Sequence, residues 1–100
     1  RNMATRYLYE GLVTVDGADP LLPAVGSALS GSTVVRPENL TAVLIVPVSG
    51  AITWRIDGDP TASYPSLPAG GILSFTDDKI PYQAIKGYAG SATTVYVAWG

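Results

Sequence analysis

Residues Ile52 to Phe75, with the sequence ITWRIDGDPTASYPSLPAGGILSF, decide the fold of this 100-residue chain. Ile52, Trp54 and Ile56 alternate with polar residues, so one face of a strand is apolar while the other face can meet water. The alternation ends in an acidic turn followed by many prolines and glycines, so 57–71 is expected to be a loop. The pattern is typical of a β-scaffold that displays a loop.

The rest of the chain repeats this pattern in shorter pieces. Val95, Val97 and Trp99 form a second clear alternation. Other short strands are expected within 6–15 (with a bend at Gly11), 33–36, 42–46, 72–75 and 84–89, with turns at 77–79 and at Gly90 and Ser91. Seven to eight short strands without a convincing helix predict an all-β fold, a single small antiparallel β-sandwich or jelly-roll-like domain over residues 1–100.

Two expectations about burial follow from the strand patterns. Trp54 and Trp99 share the apolar registers of their strands, so both are expected to be largely buried. The 42–46 strand is apolar without alternation, which indicates burial on both of its faces.

Composition argues against several classes of partner. Charged residues make up only 14% of the chain, against about a quarter in an ordinary domain, which is typical of a surface partly covered by another protein. The six basic residues are scattered singly, whereas a nucleic-acid binder concentrates them. The longest apolar run, 42–48, is far shorter than the roughly twenty residues of a membrane helix. Neither nucleic acid nor a membrane is therefore an expected partner.

The chain has little catalytic chemistry. It contains no histidine and no cysteine, which excludes the usual acyl-transfer triads, thiol nucleophiles and histidine metal sites. Asp57 and Asp59 could converge on a calcium ion, but Asp-Gly is also a preferred turn dipeptide, and the turn is the favoured interpretation. The sequence predicts no enzyme activity, no catalytic residue, no cofactor and no metal.

The segment 16–32 is expected to be a long loop, because glycine, proline and serine recur in it too closely for a regular element. It contains Leu21, Leu22 and Val25, which a solvated linker would not need. Two interpretations are open. The loop folds across an open end of the sandwich, or it clamps onto a neighbouring subunit.

Tyr64 and Tyr82 lie in proline-bearing loops. An exposed ring at such a position could anchor an interface, and the alternative is that the ring packs back on the sheet. The candidate protein-interface residues are therefore Leu21, Leu22, Val25, Tyr64 and Tyr82.

Three stretches of the second half resemble small virion structural proteins of tailed bacteriophages. They are TWRIDGDPTAS at 53–63, LPAGG at 67–71 and AGSATTVYV at 89–97. In those proteins a strand ending in D-G-x-P-T is followed by L-x-A-G and by a closing strand of the form G-T-x-V-x-V. Capsid decoration proteins, also called cement proteins, are the best match in length and all-β character.

The resemblance implies a non-enzymatic protein on the outer capsid surface of the virion. There it would act as a homotrimer that ties neighbouring subunits of the major capsid protein together. Another head-tail, tail or fibre-associated module of a phage is one alternative. A carbohydrate-binding β-sandwich module is a second, and it would present several coplanar exposed aromatic rings where a decoration protein presents an apolar interface.

Overall fold

The computed structural model describes residues 9–28, 35–36, 40, 42–76 and 85–100. These residues form six strands and no helix, and every strand pairing is antiparallel. The strands are β1 (Tyr9–Pro20), β2 (Val43–Pro47), β3 (Ile52–Arg55), β4 (Ser66–Leu67), β5 (Leu73–Phe75) and β6 (Lys86–Trp99). The prediction of an all-β antiparallel fold is confirmed. The described strands belong to one curled sheet, a half-barrel.

Strand β6 lies at the centre of the sheet. Strand β1 pairs with it from Tyr9 opposite Trp99 to Pro20 opposite Lys86. The other edge of β6 is shared, because β2 pairs with its C-terminal half and β3 with its first residues. Strand β5 then pairs with β2, and β4 pairs with β3.

The middle of β6 bends, and the chain does not reverse direction there. Val15 lies opposite Thr93 and Gly17 opposite Ala89, so Asp16 of β1 faces three residues of β6, 90–92. Extra residues on one strand of an antiparallel pair bend that strand and increase its twist. The predicted turn at Gly90 and Ser91 is therefore wrong. The two strands expected around it are one strand of 14 residues, because β1 pairs with both parts.

Strand β1 is longer than its sequence suggests. The prediction that a loop begins at residue 16 is wrong, because the ladder with β6 continues to Pro20. Gly17 has a φ of 76°, a left-handed conformation that glycine adopts without steric cost, and it lies at the register shift. No bend occurs at Gly11, which pairs in regular register with Val97.

The two faces of the sheet differ in burial. Alternate residues of the strands point to the inner face, and Val15, Val43, Ile45, Val95 and Val97 are completely buried there. On β2 the intervening side chains are only half-buried, so the expected burial on both faces is wrong for this strand.

The two tryptophans differ in burial. Trp99 is 1% exposed, as predicted, and its ring centroid lies 6.3 Å from that of Tyr9. Trp54 is only half-buried, and it packs edge-on against Phe75 at the margin of the core, with 6.0 Å between ring centroids.

The chain between β1 and β2 adds side chains to the same core. Leu21, Leu22 and Leu40 belong to the buried cluster, and Arg36 is also buried. The Arg36 N–H donates to the carbonyl of Ser27 at 2.8 Å, which ties two parts of this segment together. Of the strand expected at 33–36 the structure describes two residues, and one of them, Val35, forms an isolated bridge with Ala28.

Gly87 marks the tightest point of the inner face. A Cβ atom at this position would lie 3.0 Å from Leu21 Cδ2 and 3.2 Å from Ile52 Cδ1. We expect Gly87→Val to lower the free energy of unfolding by about 1–3 kcal/mol, the usual cost of overpacking a core. Denaturant unfolding measures the change.

Gly90→Val is the matched control. It adds the same side chain to the same strand at an exposed position with nothing within 4 Å of the new Cβ. Its expected effect is within about 0.5 kcal/mol. Equal losses in the two variants would contradict the described packing of Leu21 against β6.

Candidate interaction surface

The acidic turn after β3 is held by two cationic side chains. Gly58 has a φ of 104°, which suits glycine in a tight turn. The Arg55 Nη1 atom donates to the carbonyl of Asp59 at 3.2 Å, and the Lys86 Nζ atom lies 2.7 Å from Asp59 Oδ1. The carboxylate considered for calcium thus pairs with a lysine. Within the described part of the chain, no three acidic side chains are grouped to hold a metal ion.

Tyr64 is half-buried and packs against this turn. The Arg55 guanidinium lies over its ring, with 4.9 Å between the Cζ atom and the ring centroid. A guanidinium at this distance over an aromatic face is attracted by the ring quadrupole. The ring therefore supports the loop that carries it, and its free edge is what a partner could contact. Tyr82, the other candidate aromatic residue, lies outside the described residues.

The ion pair at the turn changes the titration of Asp59. The hydrogen bond from Lys86, together with the charge of that lysine, lowers the pKa of the Asp59 carboxyl. A carboxyl with a lowered pKa in the folded state stabilises the fold above its unfolded pKa. That contribution is lost as the pH falls through the folded value. The side chain is exposed, so the contribution to stability is small.

The three loop candidates lie in two different environments. Leu21 is 0% exposed and Leu22 is 4% exposed, so neither offers a surface to a partner in this conformation. Their burial is what a segment packed on its own sheet requires. Val25 is 51% exposed. Of the three, only Val25 is placed where another protein could touch it.

An apolar row on the outer face of the sheet was not among the candidates from sequence. Leu12 lies opposite Tyr96, and Tyr96 lies opposite Val46. Ile72 directly precedes β5, and extending the register of β2 with β5 by one residue places it beside Val46. The outer apolar face is defined here by Leu12, Leu44, Val46, Val48, Ile72 and Tyr96. Leu12, Val48 and Ile72 are 55%, 55% and 70% exposed.

Charge is almost absent from this face. Among the outward-pointing residues at 10–14, 44–48, 72–74 and 94–98, Glu10 is the charged one. The Tyr96 hydroxyl donates to Glu10 Oε1 at 2.6 Å. That hydrogen bond raises the pKa of Tyr96, since the carboxylate favours the protonated phenol. The ring of Tyr96 is thereby fixed within the row.

The sequence contained a signal for this face. In the run 42–48 the even positions are as apolar as the odd positions. Lack of alternation predicts burial of both faces, yet on β2 the apolar side chains of the outer face remain partly exposed to solvent. A strand that is apolar on both sides and half-exposed on one side therefore indicates a contact surface.

No family model matches the sequence, and comparisons with curated proteins and with solved structures give no match either. Among the described residues, none forms a helix long and apolar enough to span a membrane.

The ion pair can be tested by titration. In Lys86→Gln the pKa of Asp59 should rise towards its ordinary value, because both the hydrogen bond from the ammonium and its charge are lost. NMR titration of the Asp59 carboxyl carbon measures the change. Lys86→Arg keeps the charge and serves as control, and an unchanged Asp59 titration in Lys86→Gln would contradict the pairing.

The two environments of the loop candidates predict different losses of stability. Leu22→Ala should lower the free energy of unfolding by about 2–5 kcal/mol, because it leaves a cavity in the core. Val25→Ala should change it by less than about 0.5 kcal/mol. Thermal and denaturant unfolding of both variants provide the measurement. A Leu22→Ala protein as stable as Val25→Ala would show that the segment does not pack as described.

Proposed function

We propose that this chain is a non-enzymatic structural protein of a phage virion. In this proposal it is a capsid decoration protein that lies on the outer capsid surface and stabilises the head by bridging subunits of the major capsid protein. The observation that carries the proposal is the outer apolar face, which spans β1, β6 and β2 and ends at Ile72, the residue before β5.

The energetics of this face favour a permanent contact. Fully burying one aliphatic side chain contributes about 1.5–3 kcal/mol, and Leu12, Val48 and Ile72 each keep more than half of their surface exposed. A contiguous apolar patch with little charge is typical of a protein–protein contact site. Because Leu12, Leu44, Val46 and Tyr96 lie on paired strands, little backbone entropy is lost at these residues when a partner binds.

The resemblance to virion proteins supports the same proposal through the scaffold. Its residues at 53–63 cover most of β3 and the turn held by Arg55 and Lys86, and its residues at 67–71 start at the last residue of β4 and continue into the following loop. Its third stretch lies within β6, the central strand. The resembling residues thus lie in β3, in the loops on either side of β4 and in β6, while the outer apolar face adds the contact surface.

Two finer features belong to the proposal. One is assembly as a homotrimer on the capsid. The other is a β-sandwich or jelly-roll arrangement, which needs a second layer against the curled sheet. Both features would require a second copy of the chain or a second layer to cover a face or an edge of the sheet.

The alternatives make different demands on the surface. A head-tail, tail or fibre-associated module would use the same apolar face, and only its partner would differ. A carbohydrate-binding module needs exposed aromatic rings. Each of the described aromatic side chains is buried or half-buried: Tyr9, Trp54, Tyr64, Phe75, Tyr88, Tyr96 and Trp99. That arrangement favours a protein partner over a sugar.

Co-sedimentation with purified empty capsids of the cognate phage tests the proposal. We expect saturable binding at a fixed ratio to the major capsid protein. Ile72→Asp should weaken binding by at least about tenfold, since it places an unpaired charge in the contact. Absence of binding by the unmodified protein would overturn the proposal.

Ala62→Asp is the matched control, because it adds the same charge at an exposed position in the loop between β3 and β4, and β3 pairs with the other end of β6. It should bind as the unmodified protein does. Equal loss of binding in both variants would point to an effect of net charge and would contradict the assignment of this face. Unfolding curves of both variants should agree within about 0.5 kcal/mol.

A further inference from the structure

A groove runs beside β1, on the side away from β6. Its volume is about 430 Å³, and it is open to solvent. One wall is formed by Leu12, Val13 and Thr14, and the other wall includes Leu22 and Pro23 from the segment that follows the strand. Asp19 also contributes to the lining.

The hydrogen-bond register fixes which backbone groups of β1 face this groove. Ala42 and Gly100 exchange two hydrogen bonds, N–H to carbonyl in both directions, at 3.3 and 3.1 Å. In an antiparallel ladder such exchanging pairs recur at every second residue. The even-numbered residues of β6 between 94 and 100 therefore direct their backbone groups to β2, and the N–H of Val48 confirms this by donating to Thr94 at 2.8 Å.

The odd-numbered residues of β6 consequently bond to β1. Their partners are Tyr9, Gly11, Val13 and Val15. The N–H and C=O groups of Leu12 and Thr14 must point the other way, into the groove. No strand formed by the described residues pairs with this edge of β1.

At Asp16 a side chain of the same segment satisfies the outward-pointing N–H of this edge. The Asp16 N–H belongs to the same even-numbered set, and it donates to Asp19 Oδ2 at 2.8 Å. The Asp19 side chain thus takes the place that a neighbouring strand would have at the register shift. The next positions along the edge, Thr14 and Leu12, have no such side chain among the described residues.

We propose that the groove binds an extended, basic polypeptide segment of a partner protein, which adds as a strand to the free edge of β1 at Leu12 and Thr14. Main-chain hydrogen bonds supply affinity in strand addition, and alternate side chains supply specificity. This inference rests on the register of β1 and does not depend on the proposed function.

The charge of β1 selects the chemistry of the partner. Strand β1 carries Glu10, Asp16 and Asp19 and no basic residue. An acidic segment would meet like charges along the edge, whereas a lysine or arginine can pair with Asp19, whose carboxylate is half-buried in the lining. Pro20 and Pro23, which also line the groove and are not buried, favour apolar side chains between the basic ones. The fitting segment alternates apolar and polar residues with a basic residue at its end.

NMR titration of the isotope-labelled protein provides the test. The probe is a synthetic seven-residue peptide that alternates valine and threonine between two terminal lysines. The amide signals of Leu12 and Thr14 should shift saturably with this peptide. The same peptide with N-methylated internal amides should bind at least about tenfold more weakly, because it cannot donate to the strand. Absence of shifts at millimolar peptide would overturn the proposal.

Two variants separate the main-chain contact from the charge. Thr14→Pro removes an N–H that faces the groove and makes no bond to β6, so the protein should fold and lose the peptide. Val13→Pro removes a ladder N–H and should destabilise the sheet. Asp19→Asn keeps an acceptor for the N–H of Asp16 and should weaken binding of the lysine peptide about two- to fivefold at low salt. With a peptide that carries glutamate in place of the terminal lysines, the Asp19→Asn substitution should no longer weaken binding.

Other occupants of the edge give distinct results. If the Leu12 and Thr14 amides are protected from hydrogen exchange in dilute protein without peptide, the chain covers its own edge and the proposal is wrong. If protection rises with protein concentration and the peptide does not compete, a second copy occupies the edge, and the proposal is wrong as well. Protection that appears only with the peptide supports it. If Thr14→Pro does not fold, the N-methylated peptide and Asp19→Asn decide the outcome.

Discussion

Hydrogen bonding along both edges of β6 is the constraint on which the rest of this structure depends. Strand β1 occupies one edge over its full length, while β2 and β3 share the other edge. Strands β4 and β5 reach the sheet only through β3 and β2. The first and last described strands therefore close the fold together, with Tyr9 opposite Trp99. Such distant pairings cost loop-closure entropy before they contribute stability, so the sheet must form cooperatively.

The bend in β6 gives the two faces of the sheet different roles. Three residues of β6 opposite Asp16 curl the sheet, and the inner side becomes a trough. The chain after β1 fills this trough with Leu21 and Leu22, and Gly87 leaves room for the first of them. The outer side receives no such cover from the described residues. One face is thus completed within the chain, and the other is the face that we propose binds a partner.

The sequence predicts the local elements of this fold better than their connections. The alternation around Trp54 and at Val95 to Trp99 correctly indicates strands, since a period of two reports a sheet with unlike faces. The turn at Gly58 also follows from its residues. By contrast, Gly90 and Ser91 have the composition of a turn, and only the continuous ladder with β1 holds them in a strand. Strands that pair lie far apart along the chain, so the propensities of neighbouring residues do not predict which strands pair.

For the candidate site too, local sequence predicts which residues need a contact but does not predict what they contact. Apolar residues in a loop-like sequence correctly suggest that 21–25 packs on something, but the choice between a core and a partner depends on the tertiary fold. Leu21 and Leu22 joined the core, while Val25 stayed at the surface. Ile72 and Leu12 are single apolar residues in sequence, and they become a surface only because the register aligns them with Val46 and Tyr96.

Leu12 links the two proposed contact surfaces. Its side chain begins the row on the outer apolar face, and its backbone groups point from the free edge of β1. A strand added at that edge would continue the sheet, and every second side chain of the added strand would extend the row past Leu12. Binding at the edge would therefore add one strand to the apolar face. In the proposed role, a partner bound at the edge and a partner bound on the face would be linked through one continuous sheet, as bridging neighbouring subunits requires.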